Sequence, residues 1–194
     1  MYIRKIDFDK DYDKVQAFNH PKHGERKYPI GYTSNAHMQA QFDVVKKTFP
    51  EAIEPCVFGA FEDNKLVGYI DCMSAGYASK GEFYGELDSR DIVFAIEVDA
   101  LYRNQGVGSQ LLNTATTYHY NSSFLGYVEF DNKSKSLKSF YEKNGFNVKM
   151  FDNAGCVLKD SEAAIQARKE HRMIPYEGDR DFDFSAYETD GRVY

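Results

Sequence analysis

One stretch, IEVDALYRNQGVGSQLL at residues 96–112, constrains the fold of this chain more than any other. The run Ile92 to Val98 that leads into it is apolar and β-branched, the pattern of a buried strand. From Val107 onward, Val107, Leu111, Leu112, Ala115 and Tyr118 recur at helical spacing, so residues 107–120 read as an amphipathic helix. Between strand and helix lies a short loop with two glycines, Gly106 and Gly108. A helix with one apolar face needs a sheet to cover it. The alternation then continues with a strand at 124–130, a helix at 136–144 and a strand at 146–151. Strands alternating with helices imply βαβ units and parallel pairing.

The first half of the chain reads differently. Residues 2–8 alternate apolar and polar and suggest a strand, after which Asp9 or Asp11 could cap a short helix ending near Asn19. The segment NHPKHGERKYPIGYTSN has the Pro, Gly and Asn content of a long loop, and loops of that length are often functional. Residues 36–49 suit a second helix closed by Pro50. Residues 57–62 and 65–73 form a hairpin about the turn Asp63-Asn64, and 76–90 is a polar, glycine-bearing excursion. A last short strand at 155–159 completes a mixed sheet whose front half is antiparallel. Residues 1–159 are therefore expected to be one α/β domain of the α+β type, and 160–194 a different kind of tail.

Composition excludes several classes of function. With 194 residues and 42% hydrophobic content the chain can bury a core and hold a cleft. A formal charge of -6 gives no footprint for nucleic-acid binding. No apolar run approaches the roughly 20 residues that span a bilayer, and the start MYIRKIDFDK carries charges where a signal peptide needs its apolar stretch, so a cytoplasmic protein is expected. Cys56, Cys72 and Cys156 are odd in number and far apart, without the paired spacing of a zinc site or disulfide framework, and read as reduced, buried thiols. Metal is not expected. His20 and His23 fall in the first long loop, while His37, His119 and His171 read as helix-surface residues.

The loop Arg103-Asn104-Gln105-Gly106-Val107-Gly108 opens directly into its helix. Helix N-termini leave N–H groups without intrahelical partners and carry partial positive charge, so a diphosphate fits there on backbone donors. Glycine allows close approach of the anion, and Arg103 can add a charge-assisted contact. Leu111 stands where a G-x-G-x-x-G fingerprint needs its third glycine, and no Gly-Lys-Ser/Thr follows, so neither the dinucleotide loop nor the ATP phosphate loop fits. The segment instead resembles the R/Q-x-x-G-x-G/A motif of the GNAT (GCN5-related) N-acetyltransferase superfamily. Downstream, VEFDNKSKSLKSFYEKNGF is similar to the later strand and helix of that family, ending in Phe140-Tyr141 and Gly145-Phe146. Two motifs in order are far more specific than one.

The resemblance implies a GNAT fold: a mixed central sheet flanked by helices and splayed at an acetyl-coenzyme A site. It implies an acyltransferase that moves acetyl from acetyl-coenzyme A to a primary amine, small-molecule or protein, in a ternary complex. The cofactor would lie on Val98, Arg103, Asn104, Gln105, Gly106, Val107, Gly108 and Ser109. Where many members carry an Asn seven residues before the helix tyrosine, this chain has Ser134, with Asn132 nearby; either could serve. Tyr141 matches the tyrosine that donates a proton to the departing thiolate. Glu97 is preferred over Glu129 as the base, provided burial raises its proton affinity. The alternative function is an acetyl-CoA-binding sensor or interaction module without turnover. The tail interleaves Tyr176, Phe182, Phe184, Tyr187 and Tyr194 with acids, and local docking on its own domain or on a partner subunit is expected, which leaves a homodimer open.

Overall fold

The computed structural model describes residues 1–20, 29–48, 50, 52–74, 91–129, 135–150, 154–162 and 165–166. The expected excursion at 76–90, Asn132, Ser134, His23, His171 and the tail beyond 166 lie outside the described residues. The elements run β1 (Tyr2–Lys5), α1 (Tyr12–Asn19), α2 (Asn35–Thr48), β2 (Cys56–Glu62), β3 (Lys65–Ser74), β4 (Ile92–Val98), α3 (Val107–Tyr118), β5 (Phe124–Glu129), α4 (Lys135–Lys143), β6 (Asn147–Met150) and β7 (Ala154–Lys159). The described strands form one seven-stranded sheet in the order β1-β2-β3-β4-β5-β7-β6. Only β4 and β5 pair in parallel; every other neighbour is antiparallel. The first βαβ unit expected from the alternation, β4-α3-β5, does place its strands side by side and parallel, whereas β7 inserts between β5 and β6 and so keeps the second unit from doing so.

The β2–β3 hairpin turns on Asp63 and Asn64, both with positive φ (48° and 62°). That pair of left-handed residues makes the tight turn whose twist suits a two-residue hairpin loop, and Asn and Asp tolerate it best among non-glycine residues. Alternation along the strands then sorts side chains onto two faces. Phe58, Ala60, Ile70, Cys72, Ile92 and Phe94 meet Val107, Leu111, Leu112 and Ala115 of α3 and Tyr141 of α4 in one core. Val57, Phe61, Leu66 and Tyr69 meet Val15 and Phe18 of α1, with Ile30 and Tyr32, in a second core on the opposite face. Tyr118 departs from the expected buried stripe: it is half exposed, its ring edge against Phe58 and the Lys5 ammonium above it.

The first strand is shorter than the alternation suggests because residues 7–10 fold into a turn. The Asp7 carboxylate accepts from the Asp9 and Lys10 amides, at 3.2 and 3.1 Å. Asp11 stands at the N-cap of α1 but does not cap it with its side chain. Its carboxylate is buried and takes both guanidinium nitrogens of Arg4, at 2.5 and 2.7 Å, and the Lys14 ammonium at 2.9 Å. The hydrogen bond from Arg4 first, and then Lys14, hold the Asp11 carboxyl far below the usual carboxylate range despite burial. A depressed carboxylate contributes stability above its unfolded value of 3.8 and loses it as pH falls below that value. Asp11→Asn is therefore expected to cost about 1–3 kcal/mol at neutral pH, less than a fully buried pair because Arg4 is partly exposed. The gap between wild type and variant in urea unfolding should close as the measurement moves from pH 7 to acid; a constant gap would assign the loss to packing.

Candidate active site

β4 holds one strand on each side, but not equally far. Its register with β3 is continuous from Ser74–Ile92 to Gly68–Val98. Its parallel pairing with β5 covers Ile92–Phe124, Val93–Leu125 and Phe94–Gly126, and among the described residues it stops there. Beyond that point β5 runs on against β7, from Tyr127–Cys156 to Glu129–Ala154. Past Phe94–Gly126 the described residues of β4 and β5 no longer pair, and we read the stretch between residues 95–98 of β4 and 127–129 of β5 as a cleft.

The parting point is marked by a close approach. A Cβ on Gly126 would lie 2.6 Å from Cζ of Phe94 and 3.0 Å from Val157, so only glycine lets the Phe94 ring sit over the β5 backbone. Phe94 also packs on Phe124, Tyr141 and Phe146, with ring centroids 6.2, 6.3 and 5.6 Å apart. An aromatic cluster thus fills the closed end of the cleft.

Backbone directions along β4 follow from two bonds. The Ile92 amide donates to Ser123 on the β5 side at 2.8 Å, and the Asp99 amide donates to Val67 on the β3 side at 2.9 Å. In an uninterrupted strand the direction alternates. Ile92, Phe94, Ile96 and Val98 therefore point their amides toward β5, and those of Ile96 and Val98 point into the cleft. Val98 was expected at this site from the sequence, and its amide faces the opening. Its carbonyl accepts from Nε of Arg103 at 3.0 Å, which pins the loop across the cleft mouth.

The loop itself is shaped by left-handed residues: Asn104 at φ 59° and Gly106 at φ 82°, the latter the N-cap of α3. Gly106 has no side chain to cap with, and the first bond of the helix is Gln110 N–H to the Gly106 carbonyl at 3.0 Å. The amides of Val107, Gly108 and Ser109 precede it, which is the arrangement that binds anions. Arg103, Asn104, Gln105 and Gly106 are exposed, Val107 is buried in the core, and Gly108 and Ser109 are half-buried. Gln105 Nε2 donates to the Leu101 carbonyl at 2.8 Å, and Asn144 Nδ2 to Ser109 Oγ at 3.2 Å, tying the loop to the end of α4. The glycine at 108 has a different purpose from the one at 106: its Cβ would lie 3.1 Å from Phe140, so it lets α4 pack against the start of α3.

Tyr141 is buried beside Phe140, and burial pushes its phenol well above its ordinary value. It stays protonated at neutral pH and can act as a donor. Glu97 is directly opposite Tyr69 across the β3–β4 ladder, so it faces the α1 side, while Tyr141 lies on the α3–α4 side. One Glu97 oxygen is sealed from solvent. Glu129 ends β5 opposite Ala154.

One acid on the Glu97 face escapes sequence reasoning. Asp71 sits opposite Ala95, half-buried; its Oδ1 is sealed from solvent without a hydrogen-bond partner, while the Tyr32 side chain is hydrogen-bonded to the carboxyl group. Burial, followed by the nearby Cys56 charge, raises its carboxyl to about 7. The available signal was a charge in the middle of the apolar strand KLVGYIDCMS. The histidines divide: His37 is exposed, within 2.7 Å of Gln41, whereas His119 is buried rather than on the helix surface as the sequence suggested.

Residues 54–148 match the profile of the acetyltransferase (GNAT) domain. No curated protein matches the sequence significantly. Among solved structures, the GNAT domain of an S. lividans protein superposes with a TM-score of 0.56 at 18% identity, covering 81% of this chain and 89% of its own. An acetyltransferase of the GNAT family from Streptococcus pneumoniae gives 0.53 at 15% identity, over 81% and 96%. A Salmonella typhimurium protein solved with its cofactor acetyl-CoA gives 0.50 at 14%, over 81% and 91%. These likenesses bear out the mixed, open sheet flanked by helices.

The Phe94–Gly126 contact generates a test of the cleft's closed end. Gly126→Ala should destabilise the protein by about 1–3 kcal/mol through overpacking. Phe94→Leu in the same chain should recover part of that loss in denaturant melts; purely additive losses would place the strain elsewhere.

Proposed function

We propose that this chain, whose residues 54–148 match the acetyltransferase (GNAT) domain, is an N-acetyltransferase that moves the acetyl group of acetyl-coenzyme A to a primary amine by direct attack in a ternary complex. The observation that carries this reading is the cleft where β4 leaves β5, with the Val98 amide facing into it and the uncapped start of α3 at its mouth. A diphosphate laid on the amides from Gln105 to Ser109 would bring the pantetheine arm along β4. Arg103, held by the Val98 carbonyl through Nε, has two further guanidinium nitrogens to offer a phosphate. Asn132 and Ser134 remain candidates for one further contact to the cofactor.

In this mechanism the Val98 amide stabilises the oxyanion that develops on the thioester carbonyl, a fixed dipole where charge appears. Tyr141, kept protonated by its apolar surroundings, gives its proton to the leaving thiolate. Glu97 takes the amine proton from the other face of the sheet, directly or through a water.

Two measurements test the reading. Calorimetric titration with acetyl-coenzyme A should show binding, and Arg103→Ala should weaken it roughly 10- to 100-fold, the worth of a hydrogen bond to a charged group. No binding to folded wild type would overturn the assignment. An acid at Gly108 is a poorer probe, because its Cβ would press on Phe140.

Tyr141→Phe keeps the aromatic packing and removes only the hydroxyl. Cofactor affinity should persist while turnover falls roughly 10²- to 10⁴-fold. Normal turnover, measured by thiol release with a panel of amines, would assign Tyr141 to packing alone.

A further inference from the structure

On the face of the sheet that receives α3, at the end of the helix away from the phosphate loop, three side chains with metal-ligating atoms come together. Cys56 and Cys72 are 16 positions apart in sequence, yet the β2–β3 hairpin sets them directly opposite each other. His119, the C-cap of α3, places Nε2 3.2 Å from Sγ of Cys56. The two sulfurs and an imidazole nitrogen all lie within 4.8 Å of one another. Cys56 and Cys72 are 4% and 0% exposed, and His119 8%, so rigid elements hold all three in the core.

We propose that Cys56, Cys72 and His119 form a three-ligand zinc(II) site that joins the β2–β3 hairpin to the end of α3. Zinc takes thiolate sulfur at about 2.3 Å and imidazole nitrogen at about 2.0 Å, which in tetrahedral geometry separates the ligand atoms by about 3.5–3.8 Å. The Cys56–His119 approach needs to open by only a few tenths of an ångström to reach that spacing. Charge favours the divalent ion: two thiolates and a neutral imidazole cancel its charge, so the burial of a net charge is avoided. A monovalent ion on the same ligands would leave a buried negative charge. Binding forms two Zn–S bonds and one Zn–N bond and sends the ligand protons to solvent. Three protein ligands leave a fourth position for a small ligand. The spacing in sequence hides this set, because it is the hairpin register and the helix end that assemble it.

The test uses the full chain, reduced and treated with chelator, and cobalt(II) as a coloured substitute. Titration should raise a thiolate-to-metal charge-transfer absorption that saturates at one ion per chain and is bleached by zinc(II). Zinc alone should raise the melting temperature. Cys72→Ser and, as a second variant on a different element, His119→Asn should lose both effects, while Cys156→Ser keeps them. Circular dichroism establishes that each variant is folded. Absence of the absorption in folded wild type overturns the proposal, as does an unchanged absorption in either folded ligand variant. Binding of copper(I) with rejection of zinc and cobalt would also overturn it. None of these readouts depends on acetyl transfer.

Discussion

Everything distinctive in this molecule depends on backbone hydrogen bonds that β4 does not make to β5. A strand inside a sheet normally spends its amides and carbonyls on both neighbours, and leaving them unmet in a buried setting costs as much as a lost hydrogen bond. Here β4 keeps its full ladder to β3, while its pairing with β5 stops at Phe94–Gly126. Among the described residues, the amides of Ile96 and Val98 point to the side on which β5 no longer pairs with β4. The same divergence that removes ladder bonds therefore creates an oriented row of donors, already fixed by the β3 side before anything binds.

The rest of the fold maintains that opening. β7 pairs with β5 on its far side and β6 follows it, so β5 stays anchored although it has left β4. The aromatic cluster of Phe94, Phe124, Tyr141 and Phe146 wedges the closed end. At the open end, the bond from Arg103 to the Val98 carbonyl and the bond from Asn144 to Ser109 brace the loop before α3 against β4 and α4. The electrostatic environment divides by face: the phenol of Tyr141 is held protonated among rings, while Glu97 and Asp71 bring carboxyl groups to the other side. The sheet thus lies between the Tyr141 phenol and the two carboxyl groups.

Much of this was legible locally. The strand Ile92–Val98 and the start of α3 at Val107 coincide with the apolar periodicity, because burial against one sheet imposes that periodicity directly. The hairpin turn at Asp63-Asn64 was legible for the same reason: its left-handed φ values select the residues that tolerate them. Other readings failed where the deciding partner was distant. The expected strand through Phe8 ends at Lys5, since the Asp7 turn and the Arg4–Asp11 pair compete for the backbone. His119 carries no local sign of burial, and Asp71 was passed over because its consequence depends on what surrounds it.

The sequence by itself determined most of the elements, the glycine loop with its following helix, and through two ordered motifs the likeness to the GNAT acetyltransferase domain. These are short-range properties, set by side-chain periodicity and by which residues tolerate a given φ. Only the tertiary structure decided that β7 would separate β5 from β6, that Gly108 would serve helix packing while Gly106 shapes the loop, and that Glu97 and Tyr141 would face opposite sides of the sheet. It also decided that Cys56 and Cys72 would meet. Each of these follows from register and close packing, which are global: a one-residue shift in any ladder would move every side chain on that strand to the other face.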